Sequence, residues 1–126
     1  MKLRIKGNSM RLRVSPSEMT RLLKTGRIEE TIHFGPAEDA KLTYALEHAS
    51  HSSEMTLRHQ PLEVAVVIPT KDAQEWAQSE QVSLYGAVGA GDRRLELVVE
   101  KDFACLDKSE AENQDTYPHP KQGATC

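Results

Sequence analysis

Met10-Arg11-Leu12-Arg13-Val14-Ser15-Pro16-Ser17-Glu18-Met19-Thr20-Arg21-Leu22-Leu23-Lys24-Thr25-Gly26-Arg27-Ile28 changes its hydrophobic period partway along. Met10, Leu12 and Val14 alternate with Arg11 and Arg13, the pattern of a half-buried strand. Ser15-Pro16-Ser17-Glu18 then places Ser at an N-cap, Pro at the first helical position and Glu where it closes a capping box. Met19, Leu22 and Leu23 follow at helical spacing, and Gly26 stops the helix. Ile28 opens a further strand.

The same marks recur 54 residues on. Leu12, Val14, Met19, Leu22, Leu23 and Ile28 answer to Val66, Ile68, Ala73, Trp76, Ala77 and Val82. At a spacing of 53, Leu42, Tyr44 and Leu46 answer to Leu95, Leu97 and Val99. Repeats of this size mark duplicated structural units. The expected fold is therefore α+β and β-rich: two tandem strand-strand-helix-strand-strand units, residues 1–48 and 54–103, forming a pseudo-dimeric, swapped-hairpin-like barrel.

Outward from the first helix, Lys2 to Lys6 reads as a strand with Leu3 and Ile5 on one face and bases on the other. Gly7-Asn8 is a turn, since both residues tolerate positive φ. The third strand runs from about Ile28 to Phe34, with Ile28, Ile32 and Phe34 on one face. The fourth is Lys41 to Glu47. A Ser- and His-rich linker, Ala49 to Ser53, leads to the second unit. There Leu62 to Ile68 is the fuller apolar run expected of a more buried strand. Pro69-Thr70 opens the second helix, whose core residues are Ala73, Trp76 and Ala77. Residues 104–126 are polar and acid-rich, and a flexible, solvated tail is expected there. Tyr117 is its one candidate anchor.

The chain has 126 residues and a net charge of −3, but the charge is unevenly placed. Residues 1–27 hold eight bases against Glu18, a net +7, and the remainder carries −10. Such asymmetry points to an anionic partner for the basic end, or to neutralisation within the fold. No apolar run approaches a membrane span, and the opening residues lack a signal-peptide pattern. A bacterial cytoplasmic protein without membrane association is expected. Cys105 and Cys126 are too few for a disulfide framework.

No catalytic constellation stands out. Glu29-Glu30 and Glu38-Asp39 are adjacent pairs, and adjacent strand residues face opposite ways. Gly86, Gly89 and Gly91 open no helix, so they make a hairpin loop and not a phosphate cradle. His48 and His51 suit a zinc site only on a helix, and their region reads as strand end and linker. The expectation is a protein that is not an enzyme and holds neither cofactor nor metal.

Leu3-Arg4-Ile5-Lys6-Gly7-Asn8-Ser9-Met10-Arg11-Leu12-Arg13-Val14 resembles the opening of the AbrB/MazE-type swapped-hairpin domains. The order strand, strand, helix, strand, strand is similar too. Arg13-Val14-Ser15-Pro16 departs from that pattern by one inserted residue. The resemblance implies that two units exchange hairpins, and that Arg4, Asn8, Ser9 and Arg13 sit where such domains touch DNA. The whole chain also resembles a group of short uncharacterised bacterial proteins, through its opening and its Val99-Glu100-Lys101-Asp102-Phe103-Ala104-Cys105-Leu106 segment. That family's domain has no known function, so this likeness implies no activity.

The expected function is regulatory, with nucleic acid bound through the face bearing Arg4, Lys6, Asn8, Ser9, Arg11 and Arg13. Arg and Lys would meet phosphates, and Asn8 would read a base edge. The alternatives are docking of an acidic protein partner on the same face, or metal response through the histidines.

Overall fold

A computed structural model describes residues 1–103 and 115–118. Local sequence signals set the elements. Strand β1 (Lys2–Ile5) turns through Gly7, at φ +55°, into β2 (Ser9–Val14). The backbone groups of Lys6 and Ser9 bond each other in both directions, at 3.2 and 3.1 Å, which closes a two-residue turn. Helix α1 (Pro16–Thr25) starts on the capping box: Glu18 N donates to Ser15 Oγ at 3.3 Å, and Ser15 N donates to Glu18 Oε1 at 3.1 Å. Gly26 ends it, donating to Leu22 O at 2.8 Å.

Strand β3 (Arg27–His33) and β4 (Lys41–Ala49) form a hairpin, followed by β5 (Thr56–Gln60) and β6 (Glu63–Pro69). Helix α2 (Thr70–Gln78), with Pro69 at its N-cap, has no side-chain cap bond. Strand β7 (Ser83–Val88) leads through a 3-10 turn at Gly91–Arg93 to β8 (Leu95–Lys101).

The eight strands make two four-stranded sheets, neither closed on itself. The first runs β1-β2-β8-β7 and the second β3-β4-β6-β5. Each sheet takes one hairpin from residues 1–49 and one from residues 56–101, and the two hairpins meet as parallel pairs, β2 with β8 and β4 with β6. Leu12 lies opposite Val99, and Val66 lies opposite Leu46. The 54-residue spacing relates Leu12 to Val66 and the 53-residue spacing relates Leu46 to Val99, so each spacing joins residues of different sheets and not strand partners.

One core lies between the layers. Leu12, Val14, Leu97 and Val99 of the first sheet join Ile28, Leu46, Val66 and Ile68 of the second. Leu22 of α1 and Trp76 of α2 complete it, both 0% exposed. Trp76 also donates its indole N–H to Val82 O at 3.0 Å, so the buried ring leaves no polar atom unpaired. Met55 lies against Gly86, where an added Cβ would stand 2.8 Å from the Met55 Cβ. The strand can approach that closely only because residue 86 has no side chain.

Two expectations need correcting. Ile32 lies on the same strand face as Ile28, but the face is not buried along its length: Ile28 is in the core, while Ile32 and Phe34 are 48% and 67% exposed. The β4–β6 pairing begins at Thr43, so the Ile32–Leu42 end of the β3–β4 hairpin projects beyond the sheet's next strand. The tail expected to be solvated lies mostly outside the described residues, but residues 115–118 rest on the body. Tyr117 N donates to Asp102 O at 2.7 Å, and the Tyr117 ring meets Phe103 edge-on at 6.0 Å. Lys101 Nζ stands 5.4 Å from the Tyr117 ring centre and donates to Ser79 O at 2.7 Å. Burial pushes the Lys101 amine below its ordinary pKa.

Candidate nucleic-acid interface

Alternation puts the bases of the first hairpin on the outer face of the first sheet. Lys2 lies opposite Arg13 and Arg4 opposite Arg11. The same face continues on β8, where Arg13 meets Glu100 and Ser9 meets Glu96. Glu100 divides its attention: Oε1 accepts from Arg13 Nε at 2.8 Å and from Arg11 Nη1 at 3.3 Å. Lys2 Nζ pairs with Asp102 at 2.8 Å. Part of the basic face is therefore neutralised within the fold.

Arg4 and Lys6 have no ion pair among the described residues. With Ser9 and Arg11 they line a concavity of about 280 Å³. Three cations around one hollow in partial contact with water form an attractive field for a phosphate or another anion.

Asn8 and Ser9 have structural duties. Asn8 Nδ2 donates to Arg94 O at 2.8 Å and to Arg93 O at 3.2 Å. Both donors of its amide are thus engaged with the turn before β8, so Asn8 is not presented as a free base reader. It holds Arg93 and Arg94 beside the first hairpin. Ser9 Oγ donates to Lys6 O at 2.6 Å and stiffens the turn.

Of the six residues expected at the site, Arg4, Lys6, Ser9 and Arg11 come together around the hollow. Arg13 is drawn away by Glu100, and Asn8 is turned to the neighbouring loop. Glu100 and Tyr85 were missed by sequence reasoning. The alternation of Glu96, Val98 and Glu100 marks an outer face, but nothing local says that β8 lies beside β2. Tyr85 sits opposite Val98 on that same face and is 76% exposed.

The second sheet's outer face is built differently. Arg27 bonds Glu47 and Glu63, and also Glu29 at 3.2 Å; Arg58 joins Glu47 at 2.6 Å. Burial works to lower the Arg27 pKa, but the bonds to Glu63, Glu47 and Glu29 outweigh it and hold it above its ordinary value. The Arg27 bond holds the Glu63 carboxyl below its ordinary pKa. This face has no surplus of cations comparable to the first.

The histidines among the described residues do not gather. His48 Nδ1 lies 2.9 Å from Thr70 Oγ1, and its buried Nε2 has no hydrogen-bond partner among the described residues. No group of three or more His, Cys, Asp or Glu able to hold a metal occurs among the described residues. Cys105 and Cys126 lie outside them. No helix among the described residues is long and apolar enough to cross a membrane.

Comparison with curated proteins and with solved structures finds no match to this chain. The family match is broad, running over residues 1–121 and so taking in both sheets, both helices and the basic hairpin. The chain belongs to the family of unknown function DUF7009.

Proposed function

We propose that this chain is a non-enzymatic regulatory module that binds nucleic acid through its basic N-terminal hairpin. The observation that carries the reading is the hollow lined by Arg4, Lys6, Ser9 and Arg11, in which Arg4 and Lys6 lack acid partners among the described residues. A pseudo-twofold, swapped-hairpin barrel is the architecture that goes with it. Each sheet joins one hairpin from each half of the chain, β1–β2 with β7–β8 and β3–β4 with β5–β6, and that arrangement supports the view. The likeness of the opening strands to AbrB/MazE-type domains points the same way. A cytoplasmic setting fits a nucleic-acid partner.

The internal pairs revise the expected strength. Lys2 is held by Asp102, and Arg13 and Arg11 share Glu100, which leaves Arg4 and Lys6 for phosphates together with what remains of the Arg11 charge. Each neutralised phosphate contributes about 0.9 to the salt slope, so log affinity against log salt should fall with a slope of about −2 to −3. Glu100→Gln frees Arg11 and Arg13 and should make the slope steeper by about one. Electrophoretic shifts at graded salt read both. No shift at tens of micromolar folded protein at low salt would overturn the nucleic-acid reading and favour an acidic protein partner for the same face.

A further inference from the structure

One row of residues crosses the whole outer face of the first sheet. Arg4 on β1 lies opposite Arg11 on β2, Arg11 opposite Val98 on β8, and Val98 opposite Tyr85 on β7. The rows on either side contain acids. Glu100 lies in one, bound to Arg13 at 2.8 Å and reaching Arg11 at 3.3 Å, and Glu96 in the other, 3.0 Å from Arg94. The row of Arg4 contains none. It begins at a cation with no acid partner among the described residues and ends at an aromatic ring that is 76% exposed. Strands in a sheet lie about 4.8 Å apart, so the row spans about 14 Å.

On the reading that the basic hairpin binds nucleic acid, we propose that this row takes a single strand laid across the sheet. The Tyr85 ring stacks one base, Val98 gives an apolar floor beside it, and Arg11 and Arg4 meet the phosphates that follow. The shape of the face favours a single strand over a duplex. Four strands side by side make a surface broader than a B-form major groove, which is about 12 Å wide. Bases inside a duplex are stacked on one another and offer no face to a ring on a flat surface. A single strand leaves its bases open, and stacking on an aromatic ring tolerates any sequence. Charge complementarity then holds the backbone on the β1–β2 side, where the cations stand.

The test uses the full chain and three probes: a fluorescent oligothymidylate, a duplex of the same length, and inorganic polyphosphate. The oligothymidylate should bind more tightly than the duplex. Tyr85→Ala should weaken it about ten-fold, the order expected for one stacked base. Tyr85→Phe should retain the affinity, and neither change should alter polyphosphate binding. Arg4→Ala should weaken all three probes. Tyr85 is exposed, so its variants should melt with the parent, and a melting curve verifies this. If Tyr85→Ala binds oligothymidylate like the parent while Arg4→Ala weakens all probes, the stacking proposal falls and the basic hairpin stands as a phosphate site. If none of the probes binds the folded parent, the nucleic-acid reading falls, and this proposal with it.

Discussion

The hairpins β1–β2 and β5–β6 occupy corresponding places in their sheets, yet share almost nothing on the outside. Inside, Leu12 and Val14 correspond to Val66 and Ile68, and all four are buried in one core. Outside, the first hairpin carries Lys2, Arg4, Arg11 and Arg13, which pair with Glu100 and Asp102 among the described residues. The second carries Arg58 within a network of Glu47, Glu63 and Arg27. A strand's inward face is held by packing, where one methylene matters. Its outward face is free to vary, and here one face carries a surplus of cations while the other is balanced.

Changes to the shared interior should give the largest effects. Trp76→Ala should cost about 3–5 kcal/mol, and Leu22→Ala about 2–5 kcal/mol, in denaturant melts. Both side chains are fully buried in the same cluster. A cost below about 1 kcal/mol at either site, against the magnitudes expected for core truncation, would mean that the two helices do not serve the core alike.

The balanced outer face should respond to acid. Glu63 has its pKa held below the ordinary 4.5 in the folded state by Arg27. A carboxyl of this kind stabilises the fold fully above its unfolded pKa, and that contribution is lost as pH falls through the folded value. Glu63→Gln should therefore be less stable than the parent near neutrality, with the gap closing as pH drops below about 4.5. Melting temperatures from pH 7 to pH 3 measure this, and a gap that stays constant with pH would show that the Arg27 bond is not what Glu63 contributes.

The turns should show the smallest difference. Gly7 takes φ +55° where Gly costs little, but Leu62, in the turn of the second hairpin, takes φ +71°. A non-glycine residue in that region costs about 1–2 kcal/mol. Leu62→Gly should therefore stabilise the protein by up to about 1 kcal/mol once the greater chain freedom of Gly is counted. Any destabilisation would mean that the half-exposed Leu62 side chain packs better than its burial suggests.

Local chemistry was legible in the residues, and long-range pairing was not. The capping box at Ser15 and Glu18, the stop at Gly26 and the buried stripe of Leu22 and Trp76 depend on neighbours within a few positions. The neutralisation of Arg11 and Arg13 depends on Glu100, some 90 residues away in sequence. The exposure of Ile32 and Phe34 depends on where β6 begins. The exposed ring of Tyr85 follows an ordinary alternating strand, and only the sheet order brings it to the basic face.

The exchange of hairpins has a consequence for how the molecule is made. The second sheet is contiguous in the chain, from Arg27 to Pro69, whereas the first joins its two ends, Lys2–Val14 and Ser83–Lys101. During synthesis the second sheet can therefore assemble while the first still waits for β8. Closing so long a loop is slow, since its entropy is lost before the contacts repay it. Until that last strand emerges from the ribosome, Arg11 and Arg13 have no Glu100, and the nascent chain presents its basic hairpin at full charge. The carboxylate that tempers this face arrives some 90 residues after the arginines it tempers.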